Sequence, residues 1–340
     1  MRTDNFDYPL PQSQIAQTPV SPRHMSRLLV LNRDDKSIQH TKFWEIDQFL
    51  RPGDLLVINE TRVIPARIYA RKKSGGGKAE LLLLKQRDPK TWSALGGGKG
   101  LTVGRQLMIE GGPDAEIIEV LDGAERVVRF SEPIEPFLDR VGNVPLPPYI
   151  HTRLEDPERY QTVYAKASGS AAAPTAGLHF TPALMEKLER QTITFARLTL
   201  HVGLDTFAPV TEADPSEHKI HTEWCELNAT AAAQINAAKK AGGRVIAVGT
   251  TSVRTLETAA RNATGDDLVA PFSGTTDLFI LPGFQFKAVD AMITNFHLPK
   301  STLLMLVSAF AERELILDTY QAAIQLGYRF FSFGDAMLII

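Results

Sequence analysis

The sequence predicts an α/β (mixed α+β) main domain with an inserted small β-barrel. Three observations predict it. Short strand candidates separated by Gly, Pro and Asp turns fill residues 66–150, a spacing typical of small barrels. Strand-like segments precede that stretch, and strands and helices alternate from 151 to the last residue. The main domain is therefore expected to be discontinuous, 1–65 plus 151–340, with 66–150 inserted into it.

Taken in order, SRLLVLNR and GDLLVINETRVIPAR read as strands. Within the insertion RIYARKK, KAELLLLKQ, GRQLMIEG, AEIIEVLDG and ERVVRF are the strand candidates. The glycine-rich KSGGGK (73–78) and GGGKG (96–100) read as mobile barrel loops. PTAGLHFTPALMEKLE then sets His179 just before Thr181 as a helix N-cap and Pro182 as first residue, with Phe180 and Met185 spaced as a hydrophobic staple. The helix dipole there would hold His179 neutral or attract an anion. ARLTLHVGLDTF alternates as a strand does and delivers His201 at its carboxyl end, where ligands bind in open α/β sheets.

A helix over 229–241 is stopped by Gly242 and Gly243. GGRVIAVGTTSVRTLETAAR reads as a buried strand, a Gly-Thr-Thr-Ser turn and a helix. That is an anion cradle without the Walker lysine, so a nucleoside triphosphate is not indicated. Next, a strand-like run over 288–294 leads into NFHLPKSTLLMLVSAF. Asn295 and His297 stand there beside a helix start, with Pro299 as the first helical residue, where free amide groups can receive a ligand oxygen. The same pattern also suits a buried helix with a satisfied histidine. A helix over 312–326, stopped by Gly327, and RFFSFGDAMLII close the chain.

Composition sets limits. The 340 residues are 44% hydrophobic and 22% charged, as in an ordinary globular protein large enough for two domains. One cysteine, Cys225, excludes an internal disulfide and a four-cysteine zinc site. With no helix N-terminus or base beside it, it reads as a small buried hydrophobe. The first ten residues lack the apolar core of a signal peptide, and 303–311 is too short to span a bilayer, so a cytoplasmic location and no membrane contact are expected. A net charge of −2 argues against a general nucleic-acid coat and permits a local basic groove.

His179, His201, His218, His221 and His297 all fall near strand ends or helix starts, positions that suit acid–base work or substrate hydrogen bonding. HKIHTEWCEL places His218, His221 and Glu223 close together, as in a metal site, a general-base pair or a hydrogen-bonded loop. It lacks the helical H-E-x-x-H arrangement of zinc peptidases, and no metal is expected. Basic residues gather as Arg71, Lys72 and Lys73, and again as Arg153, Arg159 and Lys166, with Tyr149, Tyr160 and Tyr164 interleaved. Cations beside aromatics suit single-stranded RNA and equally suit a solvated face.

Read together, FDYPLP, IAQTP, SRLLVL, GDLLVINETRVIPAR, RYQTVYA, PTAGLHFT, HVGLDTF, HTEW, GTTSVRTLE, NFHLPKSTLLMLVSAF and FGDAML run almost end to end. In that order they resemble the S-adenosylmethionine:tRNA ribosyltransferase-isomerase family of queuosine biosynthesis. Two details depart from the family pattern: Ala171 stands where a valine is usual, and Leu204 with Asp205 where smaller residues are common. The resemblance implies transfer and isomerisation of the ribosyl moiety of S-adenosylmethionine onto 7-aminomethyl-7-deazaguanine at the wobble position of tRNA. Epoxyqueuosine-tRNA forms, and adenine and methionine leave.

It implies no separate cofactor, because S-adenosylmethionine is a consumed co-substrate, and a chain expected to act as a monomer. His179, His201 and His221 are then the acid and base candidates, with Glu223 orienting one of them. Asn295 and His297 would hold ribose or base; Thr250, Thr251, Ser252 and Arg254 would take a carboxylate or phosphate. Thr175, Gly177, Phe180 and Ser301 complete the substrate set, and Arg71, Lys72, Lys73, Arg153, Arg159 and Tyr164 the tRNA contacts. The rival readings are an S-adenosylmethionine-dependent methyltransferase, whose glycine-rich loop after the first strand is missing, and a non-catalytic tRNA-binding protein.

Overall fold

Wholly buried runs such as LLVIN, VIAV and AMITN, apolar except at their carboxyl ends, suit strands of a sheet covered on both faces. The computed structural model, which describes residues 1–203, 209–220 and 222–340, places them at the centre of a nine-stranded sheet. In spatial order its strands are Phe272–Thr276, Glu223–Leu227, Thr194–Leu200, Leu55–Asn59, Val245–Val248, Ala291–Asn295, Ala336–Ile339, Arg27–Leu31 and Ile38–Lys42. The four from Thr194–Leu200 to Ala291–Asn295 run parallel, so their carboxyl ends share one edge. Ala336–Ile339 runs antiparallel to Ala291–Asn295 and parallel to Arg27–Leu31.

The pleat sends alternate residues to opposite cores. Leu55, Val57, Val245, Ala247 and Met292 pack with the helices Ala229–Lys240, Thr250–Arg261, Thr302–Ala311 and Arg313–Gln325. Leu56, Ile58, Ile246, Val248 and Ile293 pack on the other face with Phe43, Phe180 and the helix Pro182–Glu189. Each fully buried Val, Leu or Ile stabilises the fold by roughly 1.5–3 kcal/mol, so both layers are well anchored.

Helix boundaries follow their caps. Thr181 accepts from Leu184 N at 3.3 Å, and Pro182 is the first residue of its helix. In the NFHLPKST segment the helix begins at Thr302, not Pro299, because the Ser301 hydroxyl accepts from Leu304 N at 3.1 Å and supplies the cap that proline cannot. Gly249 sits at φ 88 where the strand Val245–Val248 turns directly into the helix Thr250–Arg261, a conformation that a side chain would resist.

The chain divides into two compact units. One comprises Met1–Arg62, Pro148–Ala167 and Ala173–Ile340, and the other Val63–Pro147 with Ser168–Ala172. The second contains a closed antiparallel barrel of six strands. It runs from Arg67–Lys72 through Lys78–Asp88, Thr91–Gly97, Glu125–Phe130, Ala115–Val120 and Gln106–Met108 back to Arg67–Lys72. Thr91–Gly97 is the strand that the sequence reading missed. Gly96 and Gly97, read as loop, pair with Leu81 and Glu80 instead. No described helix is long and apolar enough to cross a membrane.

Candidate functional site

A cleft opens at the carboxyl ends of the parallel strands, the edge where open α/β sheets bind ligands. Its wall takes Thr294, Asn295 and His297 from one strand end, Val202 from another, and Thr250 and Thr251 from the helix that follows Gly249. The first intrahelical bonds there run from Ser252 N and Val253 N to Gly249 O, so the Thr250 and Thr251 amides precede the helical ladder. Together with the helix dipole they make this wall attractive to an anion.

Asn295 organises the floor. Its Oδ1 accepts from Thr175 Oγ1 at 2.8 Å, and its Nδ2 lies 3.1 Å from His179 Nε2. The amide therefore donates to Nε2, which puts the histidine proton on Nδ1, 2.7 Å from Ser26 Oγ. His179 is buried, and its pKa is pushed down to about 3, chiefly by loss of hydration and further by the charges of Arg329 and Arg23. It is a neutral ring with both nitrogens engaged, standing behind Asn295. His297 lines the cleft itself. Thr294 Oγ1 lies 2.7 Å from its Nε2, and burial pushes it down to about 3 as well. Opposite, Tyr149 and Ser332 share a 2.7 Å hydroxyl contact.

His201 follows the strand Thr194–Leu200 and is half-buried, stacked on Trp224 with ring centroids 5.2 Å apart. Thr61 Oγ1 donates to Ala167 O at 3.3 Å and lies 2.8 Å from His201 Nδ1. That hydroxyl has a single proton, so Nδ1 is the donor and Nε2 carries the lone pair. Burial lowers the His201 pKa and favours the neutral, basic ring. Asn59 ties this strand end to the anion wall, donating to Leu200 O at 3.0 Å and to Thr251 Oγ1 at 3.2 Å.

Several residues assigned to the site by sequence lie elsewhere or are committed to the fold. Ser252 is fully buried and donates to Val248 O. Arg254 is turned inward, its Nε on Leu278 O at 3.0 Å and its guanidinium paired with Glu223, both side chains under 10% exposed. Arg254 is thus committed to the protein, and Glu223, which also accepts from Gly203 N at 2.8 Å, braces that pair. Phe180 is core, packed edge-on against Phe43. At Gly177 an added Cβ would overlap the Tyr164 hydroxyl, so this glycine serves close packing. Ser301 lines the cleft, with its hydroxyl occupied as a helix cap. His218 bonds Glu212. His221, Leu204 and Asp205 lie outside the described residues. No group of three or more His, Cys, Asp and Glu among the described residues is arranged to hold a metal ion.

The expected RNA contacts also separate. Tyr164 is buried and faces Phe180, not solvent. Arg153 is exposed, whereas Arg159 is half-buried and donates to Val20 O at 2.7 Å. On the barrel Arg71 is exposed on the same strand face as Tyr69, while Lys73 pairs with Asp114 and Lys72 donates to Lys99 O. Sequence reading passed over Ser26, Asn59 and Thr61, and read Tyr149 only as an aromatic beside the basic residues. For Asn59 and Thr61 a signal existed, since INET places polar side chains directly after an apolar strand.

A family model described as "Queuosine biosynthesis protein" matches residues 3–339. The chain is 53% identical to the S-adenosylmethionine:tRNA ribosyltransferase-isomerase of Moorella thermoacetica and 52% identical to that of Staphylococcus haemolyticus, each over 100% of both chains. It is also similar to the crystal structure of S-adenosylmethionine tRNA ribosyltransferase from Thermotoga maritima. There the TM-score is 0.58 at 38% identity, covering 99% of this chain and 100% of that one.

Proposed function

The chain belongs to the queuosine biosynthesis protein family, and on that premise we propose that it transfers and isomerises the ribosyl moiety of S-adenosylmethionine onto tRNA. The acceptor is 7-aminomethyl-7-deazaguanine at the wobble position; the products are epoxyqueuosine-tRNA, adenine and methionine. The observation that carries the reading is full-length identity of about half the residues to enzymes of that name. The cleft at the strand ends supports it with convergent polar side chains and an anion wall.

The sulfonium of S-adenosylmethionine acidifies the adjacent 5′ carbon. A base that removes a proton there triggers loss of adenine; the aminomethyl nitrogen then attacks the sugar, and closure of the epoxide expels methionine. We assign the base to His201, whose Nε2 lone pair is set by Thr61 and Ala167. Asn295, held by Thr175 and His179, and His297 position the ribose, and the Thr250 and Thr251 amides receive the methionine carboxylate. His179 is a positioning residue in this scheme. The barrel, through Arg71, contributes to binding the anticodon arm, since an enzyme that modifies a loop nucleotide must draw it from its stack. Action as a monomer, a cytoplasmic location and the lack of a separate cofactor belong to the same proposal; the tRNA substrate supports the location.

The test mixes purified protein with S-adenosylmethionine and tRNA carrying the aminomethyl-deazaguanine base and separates the released small molecules. Adenine and methionine together, only with that tRNA, is the expected result. S-adenosylhomocysteine would make the protein a methyltransferase, and binding without turnover would make it a tRNA-binding protein. His201→Ala should lower turnover by about a hundredfold or more with S-adenosylmethionine still bound; loss of binding alone would remove it from the base role.

A further inference from the structure

Behind Asn295 lies a second, smaller pocket, open on one side, that shares Ser332 with the main cleft. Three guanidinium groups line it, those of Arg23, Arg159 and Arg329, together with Ser26, His179 and Ser332. Backbone carbonyls hold each arginine. Arg23 donates to Gln161 O and Glu158 O, Arg159 to Val20 O, and Arg329 to Thr18 O and Phe333 O. Carbonyls satisfy N–H groups and carry no net charge. Asp335, 4.0 Å from Arg329, is the one carboxylate paired with the trio among the described residues; Asp156 and Glu158, which act on Arg23 from a distance, are exposed to water. Arg159 Nε is buried with no hydrogen-bond partner.

The crowding of these charges acts on two of the groups. Burial and then the neighbouring Arg159 charge lower the Arg23 pKa, and the charges of Arg329 and Arg23 help to push His179 down. A cluster of like charges persists in a half-enclosed cavity when an anion completes it.

We infer that Arg23, Arg159 and Arg329 form a subsite for a backbone phosphate of the RNA, next to the nucleotide that enters the main cleft. The inference rests on the proposed action on tRNA. The methionine arm of S-adenosylmethionine fits less well, because its carboxylate shares a carbon with an ammonium and no acidic side chain lines the cavity to receive that cation. A phosphodiester brings negative charge alone, and arginine forks match its oxygens. The subsite links RNA binding to the floor of the cleft, since the ring of His179, which faces these cations, holds Asn295.

The experiment first establishes adenine release by the wild-type protein, so that failure of the functional reading is seen separately. It then uses anticodon stem-loops carrying one uncharged methylphosphonate linkage at successive positions around the wobble nucleotide. Removing the phosphate that occupies the subsite should raise the KM for RNA about tenfold or more in the wild-type protein and leave the KM for S-adenosylmethionine unchanged. In Arg159→Gln that same linkage should have little further effect, and the salt slope of RNA binding should fall by about 0.7. Arg159→Lys, which keeps the charge, should recover part of the loss and serves as the control for folding. No sensitive linkage, or equal sensitivity in wild type and Arg159→Gln, would overturn the inference. A rise confined to the KM for S-adenosylmethionine would overturn it in favour of the methionine arm.

Discussion

Replacing His179 by Gln should change how the protein's stability depends on pH. Burial and the nearby Arg329 and Arg23 charges hold His179 at a pKa of about 3, below the ordinary 6.5. The folded chain keeps the ring neutral in mild acid, whereas the unfolded chain accepts the proton. A depressed folded pKa gives stability that is present above pH 6.5 and is lost as the pH falls toward 3. From pH 7.5 to 5.5 the unfolded histidine gains nearly one proton, so this single group removes about 1.4 kcal/mol. Gln keeps an amide oxygen to accept from Asn295 and has no titration. Urea unfolding followed by circular dichroism should therefore show the wild-type protein losing about 1.4 kcal/mol more than His179→Gln over that interval. Equal losses would refute the neutral, buried assignment, as would a His179 proton resonance that titrates near the ordinary value.

Three further outcomes follow from side-chain pairing and packing. Arg254→Met should destabilise by about 3–5 kcal/mol by stranding Glu223, and Glu223→Gln in the same chain should return much of it; an unstable double variant would contradict the ion-pair account. Gly177→Ala should cost about 1–3 kcal/mol in thermal unfolding. Tyr164→Phe should relieve it, since the Tyr164 hydroxyl has no hydrogen-bond partner of its own. Arg71→Ala should lower the salt slope of tRNA binding by roughly 0.7–0.9, and Lys73→Ala, whose ammonium is already paired with Asp114, should lower it less; equal effects would argue against the Asp114 pairing withholding Lys73 from the RNA.

What could be read from the sequence was local. N-caps such as Thr181 announce themselves because a hydroxyl and a proline fall at fixed offsets, and His201 was legible as the residue after an alternating strand. Facing direction was not legible in the helix Thr250–Arg261. Every residue from Thr250 to Ala260 is buried, polar face included, so polarity did not distinguish Thr250 and Thr251, which reach the cleft, from Ser252 and Arg254, which turn inward. Pairings across long separations were also hidden. Ser26 meets His179 across 153 positions, and Arg254 meets Glu223 across 31, with nothing in either local pattern to mark the partner. Aromatics near cations suggested an RNA surface at Tyr164, yet the ring is a core residue whose neighbours come from distant segments.

The strand Ala336–Ile339 lies between Ala291–Asn295 and Arg27–Leu31, with two sheet strands on its far side. During synthesis the early strands Arg27–Leu31 and Ile38–Lys42 must wait for a partner encoded some three hundred positions later, a delay on the order of tens of seconds at ordinary elongation rates. Until then the nascent chain presents two open edges, one beside Arg27–Leu31 and one beside Ala291–Asn295, and both are apolar. A chain that stops before Ala336 would keep those edges exposed. Such a product should be a client of chaperones and proteases, even with every residue of the cleft wall intact.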